Sequence, residues 1–211
     1  MRKKVKTWKK VAVTGAVAAT LVLGFWASKA FYEVKEVVDG DTFVTKENQY
    51  VRFDKIDAPE IENCMGKEAK EELTRLIVGK KVFIKVRYIE PERARLIASV
   101  YSTNGNIEER MLEKGLATLR GGGMQKVLNK ASDKARGSGI GVHSSLCTQR
   151  ENPENPKCNI KANILHGAKY YRYPGCKQYE TTLVQLHFGE RWFCTEKEAK
   201  AAGFIKGGDC K

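Results

Sequence analysis

Short runs of alternating apolar and polar residues fill the chain from about residue 31 to residue 101, and this alternation predicts β-strands. Turn-forming pairs at Asp39-Gly40 and Asn104-Gly105 separate the runs, and Pro59 ends another. The predicted strands cover residues 34–38, 42–45, 49–56, 82–86 and 96–100. Such short strands with turns between them indicate a mainly β unit.

Apolar residues at helical spacing predict three helices in the same part of the chain. The first covers Gly66 to Val78, the second begins at an Asn106 cap, and the third extends from about Met124 to Arg136. Five strands interspersed with three helices are typical of a small closed β-barrel such as the OB-fold. We therefore predict a mainly β fold with helices for residues 31–148.

A polar Asn-Pro segment at residues 149–157 separates this unit from a tail of different composition. The tail, residues 158–211, concentrates aromatic side chains and contains a Thr195-Glu196-Lys197-Glu198 capping box, which predicts a short helix. A unit this small buries little apolar area, so we expect disulfides to supplement its core. The prediction is a linker followed by a small, disulfide-linked α+β module.

Residues 1–30 have the pattern of an export segment. Six of the first ten residues are Lys or Arg, residues 11–27 are uncharged, and Ser28-Lys29-Ala30 follows. This order predicts a secretory signal peptide that is cut after Ala30. The alternative is an uncleaved membrane anchor through residues 11–27, with the N-terminus in the cytoplasm. In both cases we expect the rest of the chain to be secreted, periplasmic or otherwise extracytoplasmic.

The net charge is +13, but residues 1–30 contribute seven basic and no acidic side chains, which leaves +6 for the rest. That excess is compatible with a polyanionic substrate without demonstrating one. The six cysteines all lie beyond the export segment, at Cys64, Cys147, Cys158, Cys176, Cys194 and Cys210. An even number in an exported chain indicates disulfides; zinc bound by the last four is the weaker alternative, because no pair has zinc-finger spacing.

Residues 37–60 concentrate the acidic groups that suit a metal site. Asp41 follows a glycine turn, Asp57 ends a strand, and Ala58 precedes Pro59, which turns the Ala58 carbonyl away from any local helical bond. Calcium prefers oxygen ligands, and two carboxylates, a backbone carbonyl and waters supply them. We therefore predict a weak Ca²⁺ site at Asp41, Asp57 and the Ala58 carbonyl.

Glu60, Arg52 and Arg95 complete a candidate phosphate-cleaving site. Glu60 lies three residues after Asp57, where it is the candidate general base. The planar guanidinium groups of Arg52 and Arg95 suit phosphate, because each donates two parallel charged hydrogen bonds. Strict strand alternation places Arg52 with Asp54 and away from Asp57, so strand twist or the following turn must reorient Asp57.

The order and spacing of these motifs resemble the staphylococcal nuclease (thermonuclease) family from about residue 32 to residue 143. The motifs that carry the resemblance are Asp39-Gly40-Asp41-Thr42, Val51-Arg52-Phe53, Ile56-Asp57-Ala58-Pro59-Glu60, Gly66-Lys67-Glu68-Ala69, Arg95-Leu96-Ile97-Ala98, Met111-Leu112 and Gly115-Leu116-Ala117. The resemblance implies an OB-type barrel with three helices and calcium-dependent cleavage of the 5′-oxygen–phosphorus bond in DNA and RNA. It assigns Asp41, Asp57 and the Ala58 carbonyl to calcium, Glu60 to the attacking water, and Arg52 and Arg95 to the phosphate.

The chain departs from the family pattern at three places, one of which is the loop before Arg95, where the usual Tyr-Gly is missing. Arg120-Gly121-Gly122-Gly123 replaces tyrosines that stack on the bound nucleotide in the founding enzyme, so base preference stays open. His143 replaces a tryptophan that commonly ends the domain, and we expect it to pack rather than to act in catalysis. The tail resembles a small β module that is often appended to this family.

For the six cysteines we select three pairs, although no spacing rule distinguishes them from other connectivities. The pairs are Cys64–Cys147, Cys158–Cys194 and Cys176–Cys210.

Together these features predict an exported, calcium-dependent endonuclease that acts as a monomer on DNA and RNA, with single strands preferred. One alternative is a catalytically silent OB-fold module of the cell envelope that binds nucleic acid or protein. The other is a structural envelope protein in which the barrel is only a scaffold.

Overall fold

The computed structural model describes residues 31–121 and 125–211. The predicted export segment, residues 1–30, lies outside the described residues, as does Met124 at the predicted start of the third helix. No helix within the described ranges is long and apolar enough to cross a membrane.

A closed β-barrel forms the first unit, as predicted. Its strands are β1 (Phe31–Val37), β2 (Thr42–Thr45), β3 (Tyr50–Phe53), β4 (Ile56–Asp57), β5 (Lys81–Glu90), β6 (Arg95–Ser102) and β7 (Gly105–Asn106). The main sheet has the order β3-β2-β1-β5-β6-β7, and a parallel pairing of β3 with β6 closes it. The five longer strands of this sheet correspond to the five predicted segments, with β4 separated from β3 by a bend at residues 54–55.

Three helices accompany the barrel: α1 (Gly66–Ile77), α2 (Ile107–Glu113) and α3 (Lys126–Gly137). The Asn106 side chain caps α2 by accepting a hydrogen bond from the Glu109 amide at 3.2 Å. The apolar faces of the helices pack on the interior side of the strands. The shared core includes Phe43, Val51, Phe53, Ala69, Leu73, Ile77, Met111, Leu112 and Leu128.

The short strand β8 (Thr118–Leu119) follows α2 and pairs with β4 outside the main sheet. In this pairing Asp57 lies opposite Thr118, and the Thr118 hydroxyl donates to the Asp57 carbonyl at 3.3 Å. The Arg120 amide donates to the Lys55 carbonyl at 2.8 Å. The segment after the main barrel therefore holds the backbone around Asp57 in place.

The second unit is a small α+β module with its own sheet. Its strands are β10 (Ile160–Leu165), β11 (Ala168–Arg172), β13 (Arg191–Phe193) and β14 (Ile205–Lys206), in the order β13-β10-β11-β14, with one helix, α4 (Glu196–Ala201). The Thr195 capping box begins α4 as expected. Tyr171 is fully buried, and Phe204 packs with it, so part of the aromatic content forms the core of the module.

Three disulfides are present: Cys64–Cys147, Cys158–Cys194 and Cys176–Cys210. These are the three pairs selected from the sequence. The last two lie within the second unit, whereas Cys64–Cys147 joins the loop before α1 to the end of the barrel domain. No cysteine of the described residues is free.

The junction between the two units is more ordered than a linker. Strand β9 (Thr148–Gln149) pairs antiparallel with β12 (Val184–Gln185), and the Gln149 side chain accepts from the Trp192 indole at 2.7 Å. Gln149, the first residue of the predicted linker, therefore belongs to a strand that binds the second unit. The following residues form turns, in which the Asn152 side chain donates to the Cys158 carbonyl at 3.0 Å.

Candidate active site

Arg52 brings the two candidate calcium carboxylates together. Its Nη1 lies 2.8 Å from Asp41 Oδ1, and its Nη2 pairs with Asp57 Oδ1. The Arg52 side chain is 14% exposed, and its Nε is buried without a hydrogen-bond partner among the described residues. One guanidinium thus spans two carboxylates, one just before β2 and one at the end of β4, and keeps one donor unused.

The position of Asp57 resolves the difficulty raised by strand alternation. Strand β3 ends at Phe53, and the chain bends at Asp54 and Lys55 before β4 begins, so the alternation does not continue to Asp57. The Lys55 amide donates to Glu108 Oε1 at 2.9 Å, which ties this bend to α2. The reorientation comes from this bend, and not from strand twist or the turn at Pro59.

Asp41 is a buried carboxylate held by several donors. The Thr42 hydroxyl donates to its Oδ1 at 2.8 Å, and the Ala58 amide donates to its Oδ2 at 3.0 Å. Burial raises the pKa of Asp41 to about 7, although the positive charge of Arg52 acts in the opposite direction and the negative charge of Asp39 adds to the increase. Because burial disfavours the ionised form of Asp41, a second cation beside it would stabilise that form.

A close approach of three backbone segments fixes the turn before Asp41. A Cβ atom on Gly40 would lie 2.6 Å from the Cβ atoms of both Ala58 and Ala69. Since real Cβ atoms do not approach so closely, only glycine fits between β4 and α1 at this point. Small residues at positions 40 and 58 therefore let the turn before Asp41 pack closely against α1 and the segment after Asp57.

Glu60 lies in the loop between β4 and α1, and its side chain is exposed. Its backbone is fixed: the Asn63 amide donates to the Glu60 carbonyl at 2.9 Å, and a Cβ on Gly66 would overlap the same oxygen. The loop thus holds Glu60 three residues beyond Asp57, in contact with solvent. This position suits a group that exchanges protons with water.

Arg95 projects from the same sheet face as Arg52. In the parallel pairing of β3 with β6, Arg95 lies opposite Tyr50, and Tyr50 and Arg52 are two residues apart on β3. Because residues at spacing two share a face of a strand, the two arginines point to one side of the barrel. The predicted arginine pair therefore belongs to one surface, although Arg95 forms its ion pair with Glu90 and not with Asp41 or Asp57.

Glu90 is the site residue that sequence reasoning missed. It lies opposite Arg95 in the β5–β6 pairing, and its Oε2 pairs with Arg95 Nε. The hydrogen bond from Arg95 lowers the pKa of Glu90, and the charges of Arg93 and Arg52 contribute further. The sequence signal that could have identified Glu90 was its position five residues before Arg95, at the end of the strand that precedes the β5–β6 turn.

The charges and donor atoms of this cluster suit a hard cation. The carboxylates of Asp41, Asp57 and Glu90 against the guanidinium groups of Arg52 and Arg95 leave one net negative charge when all are ionised. A phosphodiester is also an anion, so an added divalent ion is needed to make the cluster attractive to it. In residues 31–121 and 125–211, no group of three or more His, Cys, Asp or Glu side chains could hold a metal ion. A calcium ion here would therefore take most of its ligands from backbone carbonyls and water.

Part of this site lies in a stretch of the chain that is similar to a known protein family. Residues 50–145 match the family described as "Staphylococcal nuclease homologue". That match includes Arg52, Asp57, Glu60 and Arg95, whereas Asp41 precedes it.

Individual relatives are plant proteins. The chain is 37% identical over 107 residues to an uncharacterized 38.1 kDa protein of Capnoides sempervirens, covering 50% of this chain and 30% of that protein. It is 33% identical over 107 residues to staphylococcal-like nuclease CAN1 of Arabidopsis thaliana, covering 50% of this chain and 31% of the relative. A probable staphylococcal-like nuclease CAN1 of Oryza sativa subsp. japonica is 39% identical over 67 residues, covering 32% of this chain and 20% of the relative.

This chain spans less than a third of the length of these relatives. The family match covers residues 50–145, which include β3 to β8 and the three helices beside the barrel. The family match, the nuclease-named relatives and the closed barrel agree with one another. Residues 50–145 are therefore similar to the staphylococcal nuclease homologue family, and relatives named as staphylococcal-like nucleases agree with that match.

Proposed function

We propose that this protein is an exported, calcium-dependent nuclease that hydrolyses phosphodiester bonds of DNA and RNA. The observation that carries the proposal is the convergence of Asp41 and Asp57 on Arg52, with Arg95 on the same sheet face. The family of residues 50–145 and the names of the plant relatives support it.

Each side chain of the site has a role suited to its surroundings. Arg52 and Arg95 bind the phosphate and stabilise the additional negative charge that develops on its oxygens. Glu60, exposed in its loop, accepts a proton from the attacking water. Glu90 orients Arg95 through their ion pair.

Asp41, Asp57 and the Ala58 carbonyl would hold the calcium ion. When bound, the ion supplies positive charge that polarises the phosphate. The rest of the charge compensation comes from the two arginines of the chain. The small number of carboxylates predicts weak calcium binding, in the range of about 10⁻⁴–10⁻³ M that is typical of extracellular modules.

Export is supported by two features of the chain. The sequence of residues 1–30 has the pattern of a signal peptide or membrane anchor. The three disulfides require an oxidising compartment to form and persist. We therefore propose that the nuclease acts outside the cytoplasm, where calcium is abundant enough for a weak site.

Digestion of single-stranded DNA and of RNA by Arg95→Ala tests the proposed roles. Removing one charged donor to the transition state is expected to lower kcat by about 10²–10³-fold. Arg87→Ala is the matched control, because Arg87 lies on the neighbouring strand and pairs with Asp54, outside the cluster. Equal activity of both variants and the parent protein, or no cleavage by any folded form, would favour a silent binding module instead.

A further inference from the structure

A second candidate site lies at the junction between the barrel domain and the C-terminal module. A cavity of about 470 Å³ opens there. Its lining combines residues of both units: Thr118, Leu119, Arg136, His143, Thr148, Leu183, Gln185, His187 and Phe188. None of these residues belongs to the proposed catalytic cluster, so the cavity needs an explanation of its own.

Two histidines from the two units contribute unsatisfied nitrogen atoms to this region. His143 Nε2 and His187 Nδ1 are buried and have no hydrogen-bond partner among the described residues. The His187 side chain is almost fully buried, with only 4% of the residue exposed. Buried polar atoms without partners are rare in folded proteins, and two in one lining point to a ligand that they share.

The fold holds both imidazole rings firmly. His143 ends the short 3₁₀ turn Gly141–His143, just before Cys147 of the disulfide that reaches Cys64. His187 occupies another 3₁₀ turn directly after β12, the strand that pairs with β9. The His187 ring packs on Phe188 with a centroid distance of 4.2 Å, and the neighbouring Leu186 amide donates to the Cys147 carbonyl at 2.8 Å.

The donor chemistry favours a transition metal ion. A neutral imidazole nitrogen is the commonest metal ligand in proteins and suits zinc, copper or nickel better than calcium or magnesium. Metal-binding histidines are held in a fixed orientation by their surroundings, and for His187 the Phe188 contact and the Leu186–Cys147 hydrogen bond restrain the turn that carries the ring. Thr148 and Gln185 add oxygen atoms to the lining, and the cavity has room for waters. Arg136 is the one lining charge that opposes a cation.

We propose that His143 Nε2 and His187 Nδ1 together bind a divalent transition metal ion of the zinc class, which links the barrel domain to the C-terminal module. The site is independent of the calcium cluster. The proposed site gives the C-terminal module a function, because the module supplies His187, one of the two ligands. It also gives His143 a role beyond packing.

The test is titration of the metal-stripped protein with Zn²⁺, in excess Ca²⁺, by calorimetry. One Zn²⁺ per chain is expected to bind at micromolar concentration, and Mg²⁺ is not expected to compete. His143→Gln and His187→Gln are each expected to weaken binding at least about tenfold, since each removes a ligand. The matched control is His166→Gln, because His166 is exposed in the β10–β11 turn and is the only other histidine of the chain. Arg136→Gln is expected to strengthen binding.

Nitrogen NMR of the unmodified protein identifies the ligand atoms without any variant. Zinc is expected to shift His143 Nε2 and His187 Nδ1 and to leave both His166 nitrogens unchanged. Asp57→Asn is expected to retain zinc binding even if the nuclease proposal fails. Absence of zinc binding would overturn the proposal and leave a buried water as the shared partner of the two nitrogens. Stoichiometric zinc retained by folded His143→Gln and His187→Gln would also overturn it, because the metal would then bind elsewhere.

Discussion

Arg52 is the residue that defines the cluster, because a single guanidinium reaches both Asp41 and Asp57. A lysine at this position would offer one point charge, which does not span two carboxylates in a fixed plane. The same geometry keeps the two acids close enough to share an ion. Side-chain identity at residue 52 therefore decides whether the acids act as a pair.

Asp57→Asn provides a residue-scale test of the calcium assignment. Loss of one of only two carboxylates is expected to raise the calcium concentration for half-maximal cleavage by about tenfold or more, since affinity follows the ligand charge. Asp54→Asn is the matched control: Asp54 is three residues earlier and pairs with Arg87 and Lys55. Calcium titration of the cleavage rate measures both variants. An identical calcium dependence for Asp57→Asn and the parent protein would contradict the assignment.

At the scale of elements, α2 helps to hold the bend that precedes Asp57. Glu108 in its first turn is buried and accepts the Lys55 amide, so the bend between β3 and β4 depends on a side chain 53 residues away. Burial raises the pKa of Glu108, and its Oε2 has no partner in the described parts of the chain. The helix thus contributes to the site without touching the cluster.

Glu108→Ala and Glu108→Gln separate this positioning role from general packing. Glu108→Ala leaves the Lys55 amide without its acceptor, which is expected to destabilise the fold by about 1–3 kcal/mol and to lower kcat. Glu108→Gln keeps an acceptor oxygen and is expected to restore most of the activity. Urea unfolding and steady-state cleavage measure the two effects. Full activity of Glu108→Ala would show that the bend does not depend on Glu108.

Local sequence patterns predicted the elements well and the site only in part. Asn106 and Thr195 predicted the starts of their helices because a cap acts over only three residues. The barrel strands were predicted from the alternation of apolar and polar residues. The orientation of Asp57 was not predictable, since the bend before it is held by hydrogen bonds to Glu108 and Arg120, more than 50 residues away. Glu90 was missed because its pairing with Arg95 depends on hairpin register, including a bulge between Val86 and Tyr88.

At the scale of the whole molecule, the two units are in direct contact and are not separate domains joined only by a linker. The Cys64–Cys147 disulfide, the β9–β12 pairing and the Gln149–Trp192 hydrogen bond all lie at the junction. The junction encloses His187, whose partners come from both units. The stability of the junction therefore depends on the protonation state of the His187 imidazole.

Acid is expected to weaken the molecule through His187. Burial, and next the nearby His143, lowers the pKa of His187 from 6.5 to about 4. The unfolded chain therefore takes up a proton that the folded chain excludes, so stability is lost as the pH falls from about 6.5 to about 4. This difference in pKa corresponds to roughly 3 kcal/mol.

Urea unfolding in EDTA at pH 7.5 and at pH 4.5 measures this loss. Between the two pH values, the free energy of unfolding of His187→Gln is expected to fall by roughly 2–3 kcal/mol less than that of the parent protein. His166→Gln serves as the control and is expected to lose as much as the parent protein. The same pH dependence in His187→Gln as in the parent would mean that this imidazole is not the group that titrates.

The most direct test of the nuclease proposal is the release of acid-soluble nucleotides from single-stranded DNA by the purified, disulfide-bonded protein. Cleavage is expected in millimolar calcium, with 3′-phosphate and 5′-hydroxyl ends on the products. A calcium chelator is expected to abolish it, and added calcium to restore it. Cleavage that persists in the chelator, or no cleavage by a protein shown to be folded, would contradict the proposal.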